Sequence, residues 1–141
     1  LTVSAPAERW SCQPVFWFEL TPDGYSFGLG YWMAQAVTMA KFRARMDRDP
    51  KTMEKLARQI KKQDTFRLTG EEFKKPRPAP SELLAPWYNK KGGFSLSCER
   101  EHDQLLWSSQ LPRHILEGWE KLVPLFQYLS TLDGDPDPRK Q

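Results

Sequence analysis

The stretch 15–31 constrains the fold more than any other. Val15-Phe16-Trp17-Phe18-Glu19-Leu20 is a run of β-branched and aromatic residues, and Tyr25-Ser26-Phe27-Gly28-Leu29-Gly30-Tyr31 alternates with period two. Between them lies Thr21-Pro22-Asp23-Gly24. There Pro sets φ, Asp tolerates the next position and Gly supplies positive φ. Two alternating runs joined by such a turn predict a β-hairpin. A loop of Pro22-Asp23-Gly24 opposes Thr21 to Tyr25 and puts Phe16, Phe18 and Leu20 on one face with Ser26, Gly28 and Gly30. Val15, Trp17, Phe27, Leu29 and Tyr31 then take the other face, and both faces, being apolar, are expected to be covered. A loop one residue longer or shorter reshuffles the faces.

Helical periodicity follows. Residues 34–48 predict a helix with Met33, Val37, Ala40 and Ala44 on its stripe. Asp49-Pro50 ends it and starts the next, with Asp as N-cap and Pro at the first helical position. In that second helix Met53, Leu56, Ala57 and Ile60 repeat at i, i+3, i+4 and i+7. Phe66-Arg67-Leu68-Thr69 and Phe73-Lys74-Lys75 read as short strands around a Gly70-Glu71-Glu72 turn, and Pro76-Arg77-Pro78-Ala79-Pro80 as an extended connector. Ser81 is expected to cap a short helix through Leu83 and Leu84, and 94–99 reads as a strand with one wet face. The last helix carries Leu111, Ile115, Leu116, Trp119, Leu122, Val123, Phe126 and Leu129 on one stripe, with Pro124 inside it as a kink.

Strands and helices are interspersed without a βαβ alternation. The expected fold is therefore α+β: a mainly antiparallel sheet of about five short strands with helices packed on it. Residues 1–132 read as one domain, and the polar, Pro-rich 133–141 as a disordered tail. At 141 residues and 39% hydrophobic, the chain can bury a core without staples. The chain opens on Leu1 rather than Met, with little before the first strand, so an upstream segment is expected to be missing.

No apolar run is long enough to cross a membrane. Cys12 and Cys98 lack metal-ligand neighbours and read as reduced thiols, with a long-range disulfide as the alternative; without a secretory signal, a cytoplasmic protein is expected. His102, in Arg100-Glu101-His102-Asp103, and His114 read as isolated residues, so neither a metal nor a cofactor is expected. Gly28-Leu29-Gly30 lies within a strand rather than between strand and helix. It reads as a place of close approach, by a helix or an aromatic ring, rather than a phosphate loop. Glu71-Glu72 read as solvent-facing charges.

Charge is concentrated in the middle of the chain. Residues 41–91 hold fifteen basic and seven acidic residues, a net +8, within a chain whose net charge is +3. Arg67, Lys74, Lys75, Arg77, Lys90 and Lys91 lie around the aromatic pair Trp87-Tyr88. Cations beside exposed aromatics can bind phosphates and stack bases. These eight residues are the candidate site for an anionic ligand, either nucleic acid or a phosphorylated metabolite, and a binding role is favoured over catalysis. Two alternatives stay open. One is an enzyme whose glycine stripe and Arg67/Lys74 pair line a pocket for a small phosphorylated substrate. The other is an assembly role for the exposed hairpin edge.

The hairpin with Gly28-Leu29-Gly30-Tyr31-Trp32, the block 66–75 leading into Pro76, Leu83-Leu84 before Trp87-Tyr88-Asn89-Lys90-Lys91, and Pro124-Leu125 in the last helix resemble a family of conserved hypothetical bacterial and fungal proteins, a domain of unknown function. The resemblance covers most of 15–131. It implies the same fold with a further N-terminal segment, and it carries no activity.

Overall fold

The computed structural model describes residues 2–3, 13–31, 34–63, 65–101 and 108–140, the first two by backbone alone. Cys12, Met33, His102 and Asp103 lie outside these residues. The elements are β1 (Thr2–Val3), β2 (Val15–Thr21), β3 (Gly24–Gly30), α1 (Ala36–Arg48), α2 (Pro50–Gln63), β4 (Arg67–Thr69), α3 (Ala85–Tyr88), β5 (Ser95–Glu101) and α4 (Leu111–Ser130). One antiparallel sheet runs β1-β2-β3-β5-β4, with helices on one face, an α+β fold as expected.

The hairpin forms, but its loop is two residues, not three. Thr21 opposes Gly24, and the Gly24 amide donates to Thr21 Oγ1 at 3.0 Å. The faces are therefore exchanged. Phe16, Phe18 and Leu20 stand opposite Leu29, Phe27 and Tyr25, and Gly28 and Gly30 join Trp17 and Val15 on the other face. This register collects the large apolar side chains of both strands on the face that meets the helices, which is the physical reason it wins. Phe16 stacks on Phe126 at 5.1 Å and meets Trp119 at 5.6 Å. All of β3 is buried at the centre of the sheet.

The glycines serve close approach, as read from their place in a strand, yet the partner is different. A β-carbon at Gly28 would run into the Leu96 carbonyl oxygen, so what approaches is the backbone of β5 rather than a helix or a ring. A helix approaches elsewhere. A β-carbon on Gly118 of α4 would lie 2.8 Å from the Phe27 ring, so this glycine lets α4 settle on β3.

α2 buries Met53, Leu56, Ala57 and Ile60, as its spacing predicts. Asp49 caps it: its carboxylate accepts from the Thr52 hydroxyl at 2.6 Å and the Thr52 amide at 3.4 Å. In α1 the buried face is Thr38, Met39, Phe42 and Met46, not the stripe through Val37, Ala40 and Ala44. Long side chains remove more apolar area from water than alanines, and they decide how the helix rolls. In α4, Leu125 is buried while Leu116 is 54% exposed. Pro124 sits exposed on a bent α4, where water can meet the carbonyl it leaves unpaired. Ser81 does not cap: the short helix starts at Ala85, and the Ser81 hydroxyl is buried without a partner among the described residues. The segment 73–75 is no strand; β4 pairs with β5 instead, so the 66–69 and 73–75 stretches do not pair with each other.

Residues 132–140, after α4, carry two short turns. Leu132–Gly134 and Pro138–Lys140 are 3-10 turns, and Leu132 is fully buried. The cause is Arg45. Its Nε and Nη2 donate to the Asp135 carboxylate at 2.7 Å each, and its Nη1 donates to the Tyr128 carbonyl at 2.6 Å. Thr131 accepts twice more, through Oγ1 at 2.7 Å and its carbonyl at 3.1 Å. Carbonyls at a helix end have no intrahelical partner, so one guanidinium both caps α4 and holds the tail.

Candidate functional site

The candidate site is built from the connector after β4 and the turn after α3. Pro76 and Pro78 keep the backbone at Arg77 extended, outside any sheet, so its N–H and C=O need partners. The buried Asn89 carboxamide answers both. Arg77 N donates to Asn89 Oδ1 at 2.7 Å, and Asn89 Nδ2 donates to the Arg77 carbonyl at 3.3 Å. Phe73 N donates to the Asn89 carbonyl at 3.1 Å, Lys91 N to the Glu71 carbonyl at 2.8 Å, and Glu72 bridges Lys90. The segments 71–77 and 88–91 thus run side by side.

This pairing gathers a cluster over Phe73. The Arg77 guanidinium lies 4.3 Å from the Phe73 ring centroid, and that of Arg43, from α1, lies 5.2 Å from it. Arg43 Nη1 donates to the Lys90 carbonyl at 3.2 Å. Among the described residues neither arginine has a carboxylate within ion-pair distance. Burial, and then the neighbouring Arg77 charge, push Arg43 below its ordinary pKa. Among the described residues the acid whose charge acts on Arg43 is Asp47, which accepts from the Tyr88 hydroxyl at 3.1 Å. Burial, then Asp47, raise the Tyr88 phenol. Chemically the arrangement is a pair of converging cations on an aromatic support, with donors left over for an anion.

The residues expected from sequence divide. Arg77, Lys74 and Lys75 are exposed in or beside the cluster. Tyr88 borders it but is tied to Asp47. Trp87 belongs to the core, edge-on to Phe94 at 5.5 Å, and offers no stacking surface. Lys90 is buried too, its ammonium donating to the Gly70 carbonyl at 3.4 Å and standing 3.8 Å from Glu72. Lys91 stands 3.9 Å from Glu71. The two glutamates thus neutralise the two lysines across the paired segments.

Arg67 lies on the opposite face of the sheet. It lines a cleft of about 490 Å³ with Thr65, Phe66, Thr69, Ser97, Cys98 and Glu99. Gly30 lines another, of about 450 Å³, with Trp17, Glu19 and Ser95 among others. Among the described residues neither of these clefts brings Arg67, Lys74 and the glycines together. Arg43, Phe73 and Asp47 were missed by sequence reasoning. The one local signal was the four-residue spacing of Arg43 to Asp47 on a helix.

Cys98 is a free thiol whose pKa burial raises. His114 packs edge-on against Phe27 at 5.7 Å. Among the described residues no group of three His, Cys, Asp or Glu is placed to hold a metal, and no helix is long and apolar enough to cross a membrane. No curated protein and no solved structure matches the chain. One family model does, over residues 1–128, described as conserved hypothetical protein DUF2461. With nearly the whole sheet-and-helix unit inside that match, the chain belongs to the DUF2461 family of conserved hypothetical proteins.

Proposed function

We propose that this protein binds a small phosphate-bearing ligand, without transforming it, at Arg43 and Arg77, with Lys74 and Lys75 at the rim. The observation that carries the reading is the convergence of two guanidinium groups on Phe73 with, among the described residues, no carboxylate within ion-pair distance of either. The half-buried Arg43 is held against the like charge of the exposed Arg77, and a bound anion relieves that repulsion. Guanidinium groups match phosphate oxygens two at a time. A small ligand is favoured over stacked nucleobases because Trp87 is internal and Tyr88 is held by Asp47. Binding is favoured over catalysis because the ionisable neighbours, Asp47 and Tyr88, are bonded to each other. A reducing, cytoplasmic setting accords with the free Cys98 thiol.

Calorimetry with inorganic phosphate, pyrophosphate and a nucleoside monophosphate tests this at constant ionic strength. The expected result is saturable binding that Arg43→Gln or Arg77→Gln weakens at least about tenfold, the value of one charge-assisted contact. Absence of binding to all three, or binding unchanged in both variants, overturns the reading.

A further inference from the structure

A second basic surface lies on α2, and its observations are independent of Arg43 and Arg77. Lys51, Lys55, Arg58 and Lys62 fall at i, i+4, i+7 and i+11, so they form one stripe about 16 Å long. All four are exposed, and the stripe lies directly opposite the buried Met53, Leu56, Ala57 and Ile60. Lys61 flanks it. The one described acid on this helix is Glu54, 3.3 Å from Arg58, and no acid stands in the first turn.

Such a stripe has a local cost. Lys51 and Lys55 are like charges at i, i+4, as are Arg58 and Lys62, and Lys55 and Arg58 are like charges at i, i+3. Each such pair works against the helix. Lys51 also opposes the helix dipole at the N-terminal end. α4 shows what a merely solvated face of this protein looks like: its exposed residues mix signs, with Arg113 3.5 Å from Glu117 and with Glu120 beside Lys121. α2 has one such pair, Glu54 with Arg58, against five cations.

We infer that the outward face of α2 docks on the phosphate backbone of a nucleic acid, independently of sequence. Charge complementarity selects the partner, since four cations on a straight line fit a line of phosphates. An anionic membrane surface shares the charge. However, helices that lie on membranes insert an apolar face, and here that face is inside the core. Among the described residues the exposed large hydrophobic side chains, Leu20 and Leu116, both lie outside α2.

Fluorescence anisotropy of the full chain with short labelled DNA and RNA duplexes, over a salt series, tests this. The expected log–log salt slope is about −4, roughly −0.9 for each of four phosphates. Two unrelated sequences should bind equally. K51Q/K55Q/K62Q should flatten the slope to about −1 and weaken low-salt binding at least tenfold, with unchanged circular dichroism. R43Q/R77Q should leave the slope as it is, which separates this surface from the phosphate site. The inference is overturned by no binding at low salt, by a triple variant that binds like the parent, or by binding to phosphatidylserine vesicles but not to nucleic acid.

Discussion

Arg43 and Arg45 stand two positions apart on α1, on opposite sides of the same helix, and their surroundings differ completely. Arg45 spends its donors on Asp135, Tyr128 and Thr131. The Asp135 hydrogen bond raises its pKa, and that carboxylate is held below the usual range by the same bond. Arg43 has a carbonyl, an aromatic ring and another arginine, and its pKa is pushed down. A cation whose partners are already in place is structural. A cation turned toward a second cation, with no carboxylate within ion-pair distance among the described residues, is the better candidate to take up an anion, and this difference directs the proposal to one arginine and not the other.

The largest expected effect is on the structural side. Arg45→Ala should cost about 2–4 kcal/mol, because the half-buried Asp135 carboxylate keeps only Arg48 as a cationic partner and the carbonyls at the end of α4 lose their donor at the same time. Arg43→Ala should change stability by no more than about 1 kcal/mol, the lost carbonyl bond being offset by relieved repulsion. Urea denaturation of both variants decides it, and equal losses would break the comparison.

The pH dependence sharpens the same contrast. The folded pKa of Asp135 lies below its unfolded value of about 3.9, so its contribution is fully present above that value. It is lost as pH falls through the lower, folded pKa. Asp135→Asn should therefore remove stability at neutral pH and flatten the acid limb of the stability curve. An acid limb unchanged in that variant would remove Asp135 from the account.

A smaller effect joins the two regions. Asn89→Ala strips the Arg77 backbone of both partners and should cost about 1–3 kcal/mol. It should also weaken phosphate binding, since the Arg77 guanidinium would lose its fixed base. Full phosphate affinity in a destabilised Asn89→Ala protein would show that Arg77 needs no such support.

Much of this was legible in the chain, and what was not had particular reasons. The hairpin, the α2 face and the Asp49 cap are local, so spacing alone exposed them. The hairpin faces were misassigned because they hinge on whether Gly24 belongs to the turn or the strand, a matter of one residue. Composition marked a basic region but could not distinguish Lys90, buried beside Glu72, from Lys75, exposed. Trp87 looked like a stacking surface and proved to be core, since an aromatic residue has the same sequence signature in either place.

By itself, the sequence determined the α+β class, the positions of most strands and helices, the family and the concentration of positive charge in the middle of the chain. Only the tertiary structure decided which cations are neutralised. Arg45 meets a carboxylate 90 residues away, whereas Arg43 and Arg77 come from separate elements to share one ring. Periodicity reports which side of an element faces inward, because that depends on neighbours a few residues off. Charge pairing depends on which distant segments the core draws together, and no local pattern records that.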